Sequence, residues 1–208
     1  MAPQNLGSER KKGLNMRVLV DSDGVVVDFM TSFLDGYRGY GGIVPEGWAP
    51  DAFDSIKQLP TKKALRASWN DPELFSRALP YEGAIDALEA LNWRHGEVYI
   101  VTAFGIQTDL HVPAKYRWYQ KYAPFLKYDQ FIFTNKKHMV TGDVLIEDKT
   151  GTIIQWAELY PESLVIAIDQ QWNQDLYERA YTRNIDNVHI TQSLYSAAAY
   201  LEECRGVA

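Results

Sequence analysis

The 208-residue chain has a single cysteine, Cys204, near its C-terminus. An intrachain disulfide is therefore impossible and a cysteine-based zinc cage is excluded. Such cysteine usage reads as intracellular, and a cytoplasmic location is expected. No apolar run is long enough to span a bilayer, so no membrane partner is expected. Positive charge is in deficit: 21 Lys and Arg face 27 Asp and Glu, a formal net charge of -6. Binding to long nucleic acid needs a basic stripe, and its absence argues against that class of partner. A small phosphorylated ligand stays open, because a bound cation can supply local positive charge. The four histidines, His95, His111, His138 and His189, are scattered without metal-ligand spacing. Residues 1–15 are polar, carry Arg10-Lys11-Lys12 and lack the apolar stretch of a secretory signal. They are expected to form a flexible extension, with Met16 a candidate native start.

What the chain does contain is core material. Hydrophobic residues make up 46% of it, enough for one compact domain with a small insertion. Short apolar runs at Arg17–Asp21, Val98–Thr102, Phe131–Phe133, Val144–Ile146, Leu164–Ile168 and Val188–Ile190 read as strands. Helical patterns separate them, at Asp28–Tyr37, Ala84–Leu91, Val112–Tyr122, Thr150–Leu159, Asp175–Arg183 and Ser193–Glu203. Continuous apolar strands alternating with helices predict an α/β fold, a doubly wound parallel sheet covered on both faces. Gly39, Gly41, Gly42, Pro45, Gly47 and Pro50 interrupt this pattern. The expected organisation is a core of residues 16–42 and 80–208, with a small helical cap at 43–79.

Ligands bind such sheets beyond the carboxyl ends of the strands. The first strand ends at Asp21, with Asp23 and Gly24 just after it. The second ends at Thr102, the third is followed by Lys136 and Lys137, and the fourth ends at Glu147-Asp148. Convergent carboxylates repel and need a cation between them. An oxygen-only ligand set favours a hard ion, with Mg²⁺ the natural choice. Lysine beside such an ion points to phosphate, which both cations neutralise. Gly24 lets backbone amides approach that anion closely. Asp21 is then a candidate nucleophile toward phosphorus. Asp23 is placed to protonate the leaving oxygen and later to deprotonate water. An unperturbed Asp, with a pKa of about 4, carries little proton at neutral pH. The acid role therefore requires burial and the phosphate charge to push Asp23 upward.

Asp21-Ser22-Asp23-Gly24-Val25 resembles the first motif of the haloacid dehalogenase phosphatase superfamily. Thr102 resembles the second motif, Lys137 the third, and Glu147-Asp148 after Gly142-Asp143-Val144-Leu145-Ile146 the fourth. Asp23-Gly24-Val25-Val26-Val27-Asp28-Phe29, Lys115-Tyr116-Arg117-Trp118 and Gly142 to Lys149 are similar to segments of the 5'(3')-deoxyribonucleotidases. The likeness runs from Arg17 to about Leu159. It implies a nucleophile and magnesium ligand at Asp21. It implies an acid-base at Asp23, which would also bind magnesium through its carbonyl, and a third ligand at Asp148. Thr102 and Lys137, with Gly24, would hold the phosphate. Phe29, Trp48 and Trp69 would surround the nucleoside. Each of these three rings has a plain core-packing reading as well. Two departures stand out. Glu147 replaces an aspartate and is expected beside the metal site rather than on the metal. Ala103 stands where serine is usual, removing one hydroxyl near the phosphate or sugar.

The expected activity is magnesium-dependent hydrolysis of a nucleoside 5'-monophosphate, deoxyribose preferred, through an aspartyl-phosphate. The expected partner is that small molecule, with a homodimer open as the assembly. The competing readings are a phosphatase of the same fold acting on sugar phosphates or nucleic-acid ends, and a non-catalytic binding protein.

Overall fold

The computed structural model describes residues 16–206 apart from residue 106. The expected extension at 1–15 lies outside the described residues. The strands are β1 (Arg17–Val20), β2 (Glu97–Thr102), β3 (Phe131–Phe133), β4 (Val144–Glu147), β5 (Leu164–Ile168) and β6 (Val188–Thr191). They form one sheet in the order β3-β2-β1-β4-β5-β6, every neighbouring pair parallel. The doubly wound architecture expected from the sequence is the observed one. In this strand order the chain reverses direction across the sheet at β1, which opens a crevice beyond the carboxyl ends of β1 and β4.

Period-2 alternation divides the strand side chains between two faces. Val18, Val20, Val98, Ile100, Val144, Ile146 and Ile166 pack with Leu88 and Leu91 of α3 (Ala84–His95). Trp118 of α4 (Thr108–Tyr122) and Leu201 of α7 (Leu194–Gly206) join the same face. Leu19, Val101, Leu145 and Val165 face the other way, onto Ile153 and Trp156 of α5 (Thr150–Leu159) and Leu176 of α6 (Leu176–Thr182). Both faces are dry, which is why the strands lack polar alternation.

A third apolar cluster lies off the sheet. It joins Phe29 and Phe33 of α1 (Phe29–Gly39) to Ile56, Leu59 and Ala64 between the glycine cluster and Pro80, and to Leu74 and Phe75. Within that stretch the regular elements are a 3-10 turn, Phe53–Gln58, and α2 (Lys62–Trp69). Asp28 caps α1, its carboxylate accepting from the Thr31 amide at 3.1 Å. The chain leaves and re-enters the core through a narrow neck. The Asp28 amide donates to the Leu79 carbonyl at 2.9 Å, and the Tyr81 amide to the Val26 carbonyl at 3.0 Å.

α4 starts a full turn before the expected Val112, at Thr108, and carries Pro113 inside it. Proline usually marks the first turn of a helix, which is where the sequence pattern placed it. The early start brings His111 onto the buried face, its ring nitrogen 2.9 Å from the Trp69 carbonyl.

Candidate active site

The loop after β1 is wound around one carbonyl. The amides of Val26 and Val27 both donate to the Ser22 oxygen at 2.9 Å, and the Gly24 amide returns to Val27. Gly24 has φ of +85°, a conformation that side chains disfavour. A Cβ at Gly24 would also lie 2.0 Å from Asp148 Oδ2. Glycine is thus required twice, for the turn and for the approach of the β4 end.

Register does the rest. Val20 pairs with Ile100 on one side and Ile146 on the other, so the ends of three strands come level. Asp21, Thr102, Glu147 and Asp148 are all buried there. Carboxylate oxygens of Asp21, Glu147 and Asp148 lie within 4.8 Å of one another. Lys137 reaches in from the turn after β3, 2.6 Å from Asp21 Oδ2 and 2.7 Å from Glu147 Oε2. Its neighbour Lys136 stays exposed. Glu147 Oε1 accepts from the amides of Asp148 and Lys149 at 3.3 and 3.1 Å.

Two residues that the strand-end reasoning passed over complete the network. Lys115 of α4, 3% exposed, donates to Asp23 Oδ2 at 2.6 Å, Thr102 Oγ1 at 2.7 Å and the Ala103 carbonyl at 2.9 Å. Trp172, in the turn after β5, donates its indole N–H to Asp148 Oδ2 at 2.7 Å. Asn173 beside it donates to the Asp148 carbonyl, and Gln170 to the Gly24 carbonyl, both at 2.7 Å. The available signal for Lys115 was its place on the apolar stripe of α4 with His111, Ala114 and Trp118. A lysine on a buried face needs a partner.

The charges do not balance. Among the described residues, Asp21, Asp23 and Glu147 share ion pairs with two lysines, Lys115 and Lys137, and with Asp148 the set carries an excess of two negative charges when all are ionised. Burial, reinforced by the charge of Asp21, pushes Glu147 up to about 7 against the pull of Lys137. Burial and the charges of Glu147 and Asp21 push Asp148 well above the carboxylate range. Burial alone would lower Lys137, but Asp21 and Glu147 outweigh it and the ammonium is held charged. A hard divalent cation fits this donor set, both in oxygen chemistry and in the two charges it would cancel.

A cavity of about 250 Å³ opens over these groups, its far wall formed by Phe53, Asn135, Lys149 and Thr152. Phe53 is the aromatic residue on that wall. Phe29, 1% exposed, lies at the root of the third cluster, ringed by Phe33, Phe53, Trp69 and Phe75 at 5.6–5.9 Å. Trp69 lies tilted against Phe33, ring centroids 4.7 Å apart, and is partly exposed; Trp48 packs on the rim of the same cluster.

A parallel sheet in this order, with an aspartate loop after β1 and acidic residues after β4, defines a haloacid dehalogenase-type hydrolase. Solved structures agree on the fold. The phosphate- and sodium-bound hydrolase of that family from Deinococcus radiodurans superposes with a TM-score of 0.58 at 14% identity, over 91% of this chain and 96% of that one. At the sequence level, the model of the family described as 5' nucleotidase, deoxy (pyrimidine), cytosolic type C protein matches residues 15–192, and the chain belongs to that family. The mitochondrial 5'(3')-deoxyribonucleotidase of Mus musculus is 28% identical over 170 residues, 77% of this chain and 76% of its own length. The cytosolic type from Homo sapiens is 29% identical over 152 residues, 65% of this chain and 71% of its own. No described helix is long and apolar enough to cross a membrane.

Proposed function

We propose that this enzyme hydrolyses nucleoside 5'-monophosphates, deoxyribonucleotides preferred, to nucleoside and phosphate with Mg²⁺ as cofactor. The observation that carries the reading is the buried Asp21–Lys137–Glu147 ion-pair set beside Asp148 and Asp23. An anion enters such a site only where cations await it.

Asp21, Asp148 and the Asp23 carbonyl would hold the magnesium ion, with Glu147 beside it binding Lys137. Magnesium supplies charge neutralisation of the phosphoryl oxygens and of the carboxylates around it. Lys137 spends two of its three N–H donors on Asp21 and Glu147, so the third is available to a phosphoryl oxygen. The Thr102 hydroxyl, whose oxygen accepts from Lys115, adds a donor. A carboxylate oxygen of Asp21 attacks phosphorus and the bond from phosphorus to the 5' oxygen breaks. The departing oxygen takes a proton from the Asp23 carboxyl. Asp23 then removes a proton from water, which attacks the aspartyl-phosphate. The bond from phosphorus to Asp21 breaks, regenerating the carboxylate and releasing phosphate.

Residues 43–79 act in this reading as a cap that closes over the site and brings Phe53 to its wall. Phe29 backs that ring at 5.9 Å, and Phe53 offers the apolar surface for a base, with Trp48 and Trp69 packed in the same cluster behind it. The deoxyribose preference is supported by the relatives' names. A screen of ribo- and deoxyribonucleoside monophosphates and sugar phosphates, read by phosphate release, tests the assignment. Turnover is expected with Mg²⁺, none in EDTA, and none for Asp21→Asn, which keeps the volume and loses the nucleophile. Activity that persists in EDTA or in Asp21→Asn defeats the mechanism, and a preference for sugar phosphates defeats the substrate.

A further inference from the structure

The two buried lysines of the site do not do the same work. Lys137 makes two bonds and has a donor to spare. Lys115 has all three N–H groups committed, to Asp23 Oδ2, Thr102 Oγ1 and the Ala103 carbonyl, at 2.6–2.9 Å. Its fourth side is closed by the Phe75 ring, 5.0 Å from Nζ. A saturated ammonium walled by an aromatic ring has no donor to offer a phosphate unless it abandons a bond already made. Lys115 also enters from α4, and Asp23 from the loop after β1, so the contact bridges two separate elements.

The consequence falls on Asp23. Its two carboxylate oxygens are not equivalent: Oδ2 is fixed by Lys115, while Oδ1 is buried without a hydrogen-bond partner among the described residues. A buried unpaired oxygen is costly unless a ligand group meets it. We propose that Lys115 is the positioning residue of Asp23, anchoring one carboxylate oxygen so that the other faces the leaving oxygen. This rests on the acid-base role of Asp23 given above. Lys115 never touches substrate; it acts through the geometry of Asp23.

The role has a signature that packing lacks. A nucleoside 5' oxygen leaves as a poor alkoxide and needs a proton from Asp23, whereas p-nitrophenolate leaves without one. Lys115→Met keeps the apolar stem and removes every donor. With a nucleoside monophosphate, kcat for Lys115→Met is expected to fall by about 10²–10⁴-fold, the range for a general acid, with KM little changed. In the same variant the burst of p-nitrophenol from p-nitrophenyl phosphate, which reports Asp21 phosphorylation alone, is expected to keep its wild-type rate. Asp23→Asn is expected to show the same selectivity, and Lys115→Met added to Asp23→Asn to cost little more. Should Lys115→Met fail to fold, Lys115→Gln, which retains a polar head, takes its place in every measurement. A p-nitrophenol burst slowed as much as nucleotide turnover, or full additivity with Asp23→Asn, overturns the positioning role while leaving the mechanism intact. An Asp23→Asn variant without leaving-group selectivity overturns the acid-base reading itself, and the role of Lys115 with it.

Discussion

The charged edge of the sheet and the aromatic cluster beneath the 43–79 segment are built on opposite principles. At the edge, Asp21, Asp23, Glu147 and Asp148 each have a partner within 2.6–2.7 Å, held on strand ends and the loops that follow them. In the cluster, Phe29, Phe33, Phe53 and Trp69 meet ring to ring at 4.7–5.9 Å, on short helices and turns. Removing one member of a buried ion pair strands the other, so the first region should fail abruptly. Removing a ring thins a packed surface and should fail by degrees. The proposed mechanism assigns chemistry to the first region and discrimination between substrates to the second.

The sharpest way to break this contrast is Lys137→Met. It removes the free phosphate donor and leaves Asp21 and Glu147 facing each other. A loss of about 10²–10³ in kcat is expected on every phosphomonoester, read as phosphate release. A loss confined to nucleotides would erase the division between the regions. Next comes Phe53→Ala. A stacked base is worth about 1–3 kcal/mol, so kcat/KM for the nucleotide should fall by about 5- to 100-fold. The value for p-nitrophenyl phosphate should barely move. Trp69→Ala measured in parallel separates base stacking from core packing, since a packing role lowers the melting temperature and spares this ratio.

The charged edge also predicts how stability responds to pH. Burial and neighbouring charge hold Glu147 up at about 7 and Asp148 above its ordinary range, while the unfolded chain ionises both nearer 4–4.5. The folded protein therefore binds more protons across that window. Without divalent cation, its stability should fall as pH rises from about 4.5 through 7. Added Mg²⁺ should raise the melting temperature more at pH 7.5 than at pH 5. Melting curves with EDTA and with Mg²⁺ at both pH values check the sign, and equal shifts would refute it. The smallest effect belongs to Lys149–Asp54, a half-exposed pair at 3.2 Å joining the 43–79 segment to the loop after β4. Asp54→Asn should cost no more than about 1 kcal/mol, less in high salt.

The same contrast explains what the sequence made legible. A strand buried on both faces is a continuous apolar run, so β1, β2, β4 and β5 stand out, and with them Asp21, Thr102 and Glu147-Asp148 at their ends. Those residues are local to a recognisable pattern. Lys115 is not: it lies 92 residues from Asp23, and its meaning depends on which way α4 faces. Trp172 reads as one more aromatic after a strand until the turn after β5 brings its indole to Asp148, 24 residues away. Phe53 sits in a stretch with no periodicity, so nothing in the chain singles it out from Trp48 or Trp69 as the ring on the cavity wall. Ion pairs between elements and the aim of irregular segments are tertiary facts, and they carry no sequence period.

The neck between Val26–Asp28 and Leu79–Tyr81 makes the intervening fifty-odd residues interchangeable in principle. Both ends emerge side by side, tied by the Asp28–Leu79 and Val26–Tyr81 hydrogen bonds, so a foreign segment with adjacent termini could be spliced there without altering the sheet. Closing a long loop costs only slightly more than closing a short one, about 0.6 kcal/mol per doubling of length. The fold therefore tolerates grafts of very different size at this point. A library of such grafts would vary the chamber above Asp21 while Asp21, Lys137 and the fourth-strand acids stayed in place, making this junction the natural place to retarget the enzyme.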